Sequence, residues 1–182
     1  MSSRSDIFGA IQALEKREIS HPGDFKSYSA TKDPVGDFKN SLSIVGAMCI
    51  EVENKKNAAT RLSEIYPDLQ RYTSHEVVAN GLDLEAVDVL EIDGMFGVAE
   101  NGAIWLSDQF LPNRVAPFIC QHLVIYVAKS EVVATLHEAY ERLDGNYADF
   151  GLFLSGPSKT ADIEQSLVIG AHGARSLTIV LV

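Results

Sequence analysis

Two almost uninterrupted apolar segments constrain the fold of this chain most strongly. The segments LVIYV (123–127) and LTIVLV (177–182) each contain a single polar side chain. Strands this apolar are typical of a parallel sheet covered on both faces, whereas a sheet with one solvated face alternates apolar and polar residues. Helical patterns separate the strand candidates, and parallel strands need such crossover connections. We therefore predict an α/β fold, a three-layer α/β/α sandwich with a mainly parallel sheet.

The period of the apolar residues predicts the other elements. An opening helix carries Ile7, Phe8, Ile11 and Leu14 on one face, and Ser130 is expected to cap a helix that continues to Leu143. Glu100-Asn101-Gly102 is a turn signal between two apolar segments. The remaining predicted helices are 38–44, 58–69 and 160–169, and the remaining extended segments are 47–52, 75–78, 87–92, 122–128 and 150–154.

Length and charge limit the domain organisation and the partners. At 182 residues the chain has one predicted domain, with an N-terminal helix and connector in 1–37 and an α/β core in 38–182. The formal net charge of -10 argues against nucleic acid and anionic membrane surfaces as partners. No segment approaches the roughly 20 apolar residues of a membrane helix.

The cysteines and the first residues predict the compartment. Cys49 and Cys120 stand apart among apolar neighbours and are expected to act as buried small hydrophobes. They are too few for an iron–sulfur cluster held by four thiolates. Residues 1–18 lack the apolar region of a signal peptide. We expect a cytoplasmic protein with no cofactor or metal bound by this chain.

The loop Ser155–Thr160 is the first candidate ligand site. It is predicted to link the carboxyl end of a strand to the start of a helix, where open α/β sheets bind ligands. Backbone N–H groups there favour a phosphate or carboxylate, and Ser158, Lys159 and Thr160 add donors. Simple capping of the helix by Ser158 or Thr160 explains the same residues, and both interpretations stay open.

Two further loops carry candidate chemistry. His172 stands before Gly173 and titrates near neutrality, so it is either a site residue or part of a helix C-cap. Glu100 is a candidate nucleophile or general base, and Asn101 could stabilise an oxyanion. The alternative is a hairpin turn with a solvated Glu100. Neither HExxH nor GxSxG occurs, which leaves zinc protease and serine hydrolase functions without support.

Three motifs contain these loops: GVAENGAIWL (97–106), SGPSKTADIE (155–164) and GAHGARSLTIVLV (170–182). Together they resemble the lactate utilization (LUD-domain) family, in particular its short C-type subunits. The first 90 residues match more loosely. In the first motif the family is usually closer to Ala-Glu-Thr-Gly-Thr, and here Asn101 and Ala103 replace the hydroxyl residues. Ala174 stands where proline is common.

The resemblance implies a fold like the ribose-5-phosphate isomerase and CoA-transferase (NagB/RpiA) superfamily. It also implies a role in oxidising L-lactate to pyruvate beside subunits that carry iron–sulfur clusters. A homo-oligomer stays open. Alternatives are a CoA-transferase-like or phosphosugar-type enzyme using Glu100, or a structural interaction subunit. The candidate catalytic residues are Glu100 and His172, and the candidate ligand-binding residues are Asn101, Gly102, Ser155, Gly156, Ser158, Lys159, Thr160, Asp162 and Gly173.

Overall fold

A computed structural model describes residues 3–14, 20, 31–144, 149–161, 167–170 and 173–182. The α-helices are α1 (Ser3–Gln12), α2 (Pro34–Ile44), α3 (Lys55–Ile65), α4 (Ser74–Ala79), α5 (Ala116–Ile119) and α6 (Leu136–Leu143). The strands are β1 (Met48–Glu51), β2 (Arg71–Thr73), β3 (Val89–Asp93), β4 (Phe96–Val98), β5 (Ala103–Ser107), β6 (His122–Val127), β7 (Val132–Val133), β8 (Gly151–Leu154), β9 (Lys159–Ala161), β10 (Leu167–Ile169) and β11 (Ser176–Leu181).

Five strands form a fully parallel central sheet in the order β1-β11-β6-β3-β2. The two apolar segments of the sequence become its middle strands, β6 and β11, which pair from Ser176 opposite His122 to Leu181 opposite Val127. Strands in the middle of a sheet bury both faces, which is why both segments are almost wholly apolar. The prediction of an α/β fold with a mainly parallel sheet is confirmed.

Helix α3 covers one face of this sheet. Asn54 caps the helix by accepting a hydrogen bond from the N–H of Asn57, and Pro67 follows its end. Ala58 and Leu62 recur at helical spacing and are fully buried, so they pack one stripe of the helix against the sheet. Their partners in this cluster are Ile50, Val52, Tyr66, Val89, Val124 and Val180.

The other face is covered by α2 and by a second sheet that the sequence did not predict. This sheet has the order β7-β4-β5-β8, with β4 and β5 forming the expected hairpin. The main core lies between the two sheets and α2, and it contains Phe38, Leu42, Leu90, Ile92, Ile104, Leu106, Leu123, Ile125, Leu177 and Ile179. Helix α6 packs on the outer side of the second sheet through Ala139 and Leu143. The three-layer prediction is confirmed, with the second sheet as an addition to one side.

The helix predicted over 160–169 is wrong for the described residues. Strands β9 and β10 pair antiparallel, with Thr160 opposite Val168. The segment Leu167-Val168-Ile169 is rich in β-branched side chains, which favour strands over helices. Gly156 and Gly170 flank the hairpin with positive φ angles of 77° and 79°, turns that glycine adopts without steric cost.

Two local predictions near helices are also wrong. Residues 75–78 are helical rather than extended, because Thr73 and Glu76 form a reciprocal capping box at the start of α4. Ser130 caps no helix. Instead Val132–Val133 add a short parallel strand to β4, and Thr135 caps α6 by accepting from the N–H of Glu138.

Helix α1 forms as predicted, but Ile7, Phe8 and Ile11 are each more than half exposed. Among the helices in the described ranges, none has both the length and the apolar character needed to cross a membrane.

Candidate functional site

A cavity of about 320 Å³ lies at the amino-terminal edge of the parallel sheet. Its walls include Leu123 and Leu177, the second residues of β6 and β11. We call it the amino-edge cavity; its other lining residues are Pro117, Phe118, Leu152, Phe153, Leu154, Ser155, Gly156, Pro157, Ser158, Lys159, Gly173 and Ala174. The expectation of a site at the carboxyl edge is therefore wrong for this loop. Strand β8, which leads into it, belongs to the second sheet and runs antiparallel to β5.

Two loops from separate motifs meet at this cavity. The N–H of Ser158 donates to the carbonyl of Ala174 at 2.9 Å, and a Cβ added to Gly173 would lie 3.1 Å from the Cβ of Ser158. At Gly156 a Cβ would lie 2.7 Å from the carbonyl oxygen of Val45, so a side chain there would collide with the backbone that follows α2. The glycines of both motifs thus permit a close approach that larger residues would block.

Lys159 is the only charged residue among the described residues that line the amino-edge cavity. Its exposed ammonium donates to the carbonyl oxygen of Val45, which leaves donors for a ligand. Ser158 is half-buried beside it. Polar and apolar surface share the wall of the cavity almost equally. Among the described lining residues, one cation beside apolar side chains favours a small ligand with a single negative charge.

The first motif lies beside this cavity without lining it. Ser155 Oγ donates to the carbonyl of Asn101 at 2.8 Å, which ties the two loops together. Asn101 Oδ1 accepts from the N–H of Ala103, and Gly102 has a positive φ of 67° at the tip of the β4–β5 hairpin. Asn101 and Gly102 therefore shape the turn.

Glu100 binds the start of helix α6 in this structure. Its Oε2 accepts a hydrogen bond of 2.8 Å from the N–H of Leu136, the first residue of α6. A carboxylate is stabilising at a helix N-terminus. Glu100 also borders a separate cavity of about 280 Å³ with Ser41 and Thr135. The structure thus separates Glu100 from the amino-edge cavity.

Three candidate residues, Thr160, His172 and Asp162, are not among the described lining residues of this cavity. Thr160 lies in strand β9 rather than at the start of a helix, so it cannot be the predicted N-cap. His172 and Asp162 lie outside the described residues. Of the candidates, Ser155, Gly156, Ser158, Lys159 and Gly173 come together at one cavity.

A second polar group of residues lies at the opposite edge of the sheet, and the sequence predictions missed it. Two adjoining cavities of about 240 and 360 Å³ share Lys55, Asp93, Phe110 and Tyr126; we call them together the carboxyl-edge cleft. The segment Val-Leu-Glu-Ile-Asp of β3 could have predicted this group. Because side chains alternate along a strand, Glu91 and Asp93 lie on one face at the end of β3.

Hydrogen bonds and burial alter the acidity of groups in and near both sites. Tyr126 donates to Glu91 Oε2 at 2.5 Å, and burial together with that carboxylate raises the pKa of the Tyr126 hydroxyl. Cys120 is buried, which raises the pKa of its thiol to about 12. Cys49 is half-buried, and its pKa is also raised by burial. In the part of the chain that the structure describes, no three His, Cys, Asp or Glu residues gather as metal ligands.

The family model of the LUD domain matches residues 79–182, more than half of the chain. The chain belongs to the LUD-domain family. The matched region contains the amino-edge cavity residues and Glu100, whereas Lys55 of the carboxyl-edge cleft precedes it. The resemblance in the three motifs is thereby confirmed.

Two relatives of this LUD-domain chain are named lactate utilization protein C. The protein from Bacillus pumilus (strain SAFR-032) is 36% identical over 43% of this chain and 35% of its own length. The protein from Geobacillus sp. (strain WCH70) is 32% identical over 47% of this chain and 38% of its own length. The chain thus matches well under half the length of these relatives.

A solved structure supports the fold. The crystal structure of a DUF162 family protein from Deinococcus radiodurans is similar to this chain with a TM-score of 0.59. The similarity covers 81% of this chain and 95% of that protein, at 14% sequence identity. At that identity the likeness shows a shared α/β fold and nothing of ligands.

Proposed function

We propose that this LUD-domain chain is a cytoplasmic component of a lactate utilization system and binds a small monocarboxylate, such as L-lactate or pyruvate, in the amino-edge cavity. The names of its relatives support the pathway. One observation supports the ligand: residues of two separate family motifs converge on a cavity in which Lys159 is the one charged residue among the described lining residues.

The chemistry of the cavity matches such a ligand. The ammonium of Lys159 and the hydroxyl of Ser158 can donate to a carboxylate, and a charge-assisted hydrogen bond is worth about 1.5–3 kcal/mol. The methyl group of lactate or pyruvate would pack on the walls formed by Leu123 and Leu177. A volume of about 320 Å³ is at the lower end of small-molecule sites, which suits a ligand of a few atoms.

We further propose that the electrons released by lactate oxidation pass to partner subunits that carry iron–sulfur clusters. The resemblance in the C-terminal motifs and the presence of only two cysteines in this chain support this division of labour. Acyl or phosphosugar chemistry at Glu100 is not part of the proposal, because that carboxylate is engaged by the N–H of Leu136.

Binding is tested by titration calorimetry with L-lactate and pyruvate, with ethyl lactate as the uncharged comparison. We expect Lys159→Met to weaken carboxylate binding by at least about tenfold, the loss of one charge-assisted hydrogen bond. Lys56→Met is the matched control, since Lys56 is exposed and lies outside the lining of this cavity. Equal binding of ethyl lactate and L-lactate would contradict a carboxylate site.

The pathway is tested by deleting the gene and measuring growth on L-lactate as the carbon source. We expect growth to fail and to be restored by the wild-type gene and by Lys56→Met, but not by Lys159→Met. Normal growth of the deletion strain would contradict the proposed role. Restoration by Lys159→Met would separate the pathway role from the proposed ligand site.

A further inference from the structure

The carboxyl-edge cleft is built from distant segments of the chain. Lys55 begins α3, Asp93 ends β3, Tyr126 lies near the end of β6, and Phe110 follows β5. Asp93 pairs directly with Tyr126 in the sheet, so their side chains lie on the same face. The carboxyl ends of parallel strands are where open α/β folds place ligands.

Charges in and beside this cleft occur as opposite pairs. Lys55 pairs with Asp93, and Arg142 pairs with Glu131 across the larger of the two cavities. Glu91 lines the smaller cavity, lies 3.6 Å from Arg71 outside the lining, and accepts a hydrogen bond from Tyr126. A ligand with one charge of either sign would meet an opposing charge beside its partner, which disfavours simple anions and cations.

The ion pairs within the cleft are accessible enough to be rearranged. The side chains of Lys55 and Asp93 are 58% and 44% exposed. Exposed ion pairs contribute about 0–1 kcal/mol, so a ligand can separate them at small cost. Apolar surface lies beside them, since Phe110 is 39% exposed and Lys55 Nζ lies 5.2 Å from the centre of the Tyr126 ring.

We propose that the carboxyl-edge cleft binds a small zwitterion, an α-amino acid with an apolar side chain. Its ammonium group would replace Lys55 at the carboxylate of Asp93, and its carboxylate would accept from Lys55. Its side chain would lie on Phe110 and the ring of Tyr126. This inference is independent of the proposed role in lactate utilization, because it uses the other edge of the sheet.

The test is calorimetric titration of the full chain with L-norleucine. Hexanoate and hexylamine serve as singly charged analogues, and myo-inositol serves as an uncharged polar probe. We expect norleucine to bind at least about tenfold more tightly than either singly charged analogue, because each lacks one charge-assisted contact. The same comparison on the wild-type chain requires no substitution and therefore cannot fail through misfolding.

Substitutions then locate the site. Lys55→Met and Asp93→Asn should each weaken norleucine binding by at least about tenfold. Arg61→Met should leave it unchanged, because Arg61 forms an exposed ion pair with Glu64 on the same helix and lies outside the cleft lining. Saturable binding that Lys55→Met and Asp93→Asn abolish would support the proposal. Absence of binding at millimolar norleucine, equal binding of hexanoate or myo-inositol, or full retention in Lys55→Met would overturn it.

Discussion

The two edges of one parallel sheet carry cavities of opposite character. At the amino edge, glycine-containing loops border a cavity where, among the described lining residues, Lys159 alone is charged. At the carboxyl edge, strand ends and the start of α3 present charges in opposite pairs, such as Lys55 with Asp93. The position of a cavity in an α/β fold is therefore not enough to define its ligand. The two proposed ligands differ because of the charges: a monoanion is proposed beside a single cation, and a zwitterion beside paired charges.

The two cavities also depend on different parts of the fold. The amino-edge cavity depends on loop conformation, since Gly156 has a positive φ and contacts the backbone at Val45. The carboxyl-edge cleft depends on strand register, since Asp93 and Tyr126 are paired residues of β3 and β6. Substitutions can therefore damage one cavity and leave the other in place.

The largest effect is expected for Leu177→Ala. Leu177 is 1% exposed and lies between the main core and the amino-edge cavity. Removing its buried atoms should lower the free energy of unfolding by about 2–5 kcal/mol. Urea unfolding measures the loss. Norleucine affinity should stay within about twofold of wild type, since distant sites are usually independent; a parallel loss would show that the two cavities are coupled.

A smaller loss is expected for Gly156→Ala. A non-glycine residue at a φ of 77° is strained, and its Cβ would lie 2.7 Å from the Val45 carbonyl oxygen. We expect a decrease of about 1–3 kcal/mol in the free energy of unfolding and weaker pyruvate binding. Gly81→Ala is the matched control, because Gly81 has a φ of 59° and no atom within 4 Å of an added Cβ. Equal losses in both variants would mean that backbone strain at positive φ explains the whole effect and that the collision with the Val45 carbonyl oxygen does not contribute.

Tyr126→Phe tests the carboxyl edge. It removes the hydrogen bond to Glu91, and a bond to a charged group contributes about 1.5–3 kcal/mol. Because Glu91 keeps its ion pair with Arg71, we expect a loss near the lower limit of that range. Thermal unfolding measures it, with Tyr140→Phe on the exposed side of α6 as the control. Unchanged pyruvate affinity in Tyr126→Phe would show that the two cavities are energetically independent. Reduced affinity would argue against that independence.

The smallest effects should appear in the dependence of stability on pH. At the amino edge, burial of His122, reinforced by nearby Arg175, lowers the pKa of its imidazole from 6.5. The unfolded chain then binds the proton more readily than the folded chain. The free energy of unfolding is therefore unaffected by His122 above pH 6.5 and decreases as the pH falls from 6.5 toward the folded-state pKa. His122→Asn should flatten this part of the profile in urea unfolding; an unchanged slope would contradict the assignment.

At the carboxyl edge, Glu51 is expected to cause a decrease in the free energy of unfolding at lower pH than His122 does. Hydrogen bonds from Lys129 and Lys39 lower the pKa of Glu51 from 4.5 to about 2. Its stabilising contribution is present above pH 4.5 and is lost as the pH falls toward 2. Because the group is exposed, salt should weaken the effect, and Glu51→Gln should remove it. A loss of stability that is insensitive to salt would contradict this explanation.

Much of the architecture was predictable from local patterns. The apolar segments around Ile125 and Ile179 predicted the middle strands, and the period of Ala58 and Leu62 predicted α3. The errors arose where tertiary pairing overrode local signals. Val132 and Val133 match a helix face by spacing, yet the open edge of β4 pairs them as a strand. Local sequence predicts a helix from Thr160, yet Lys159–Ala161 pair with Leu167–Ile169 as strands.

The candidate site was only partly predictable for the same reason. The residue types of the loop at Ser155–Lys159 indicated an anion site, and the loop does border a cavity with Gly173. Spacing alone could not show that its strand, β8, belongs to a second sheet. It could not show that Glu100 is engaged by the N–H of Leu136, either, because that contact joins residues 36 positions apart.

Apolar periodicity and ordered motifs are local properties of the chain, so they predict the fold class and the family without a structure. The edge of the sheet that each group occupies follows only from the long-range packing of the chain. This packing places the loop of Ser158 at the amino edge and brings Lys55 to Asp93 at the carboxyl edge. Strand order and sheet membership arise from long-range pairing between segments, and the free energy that selects this pairing comes from the buried core as a whole.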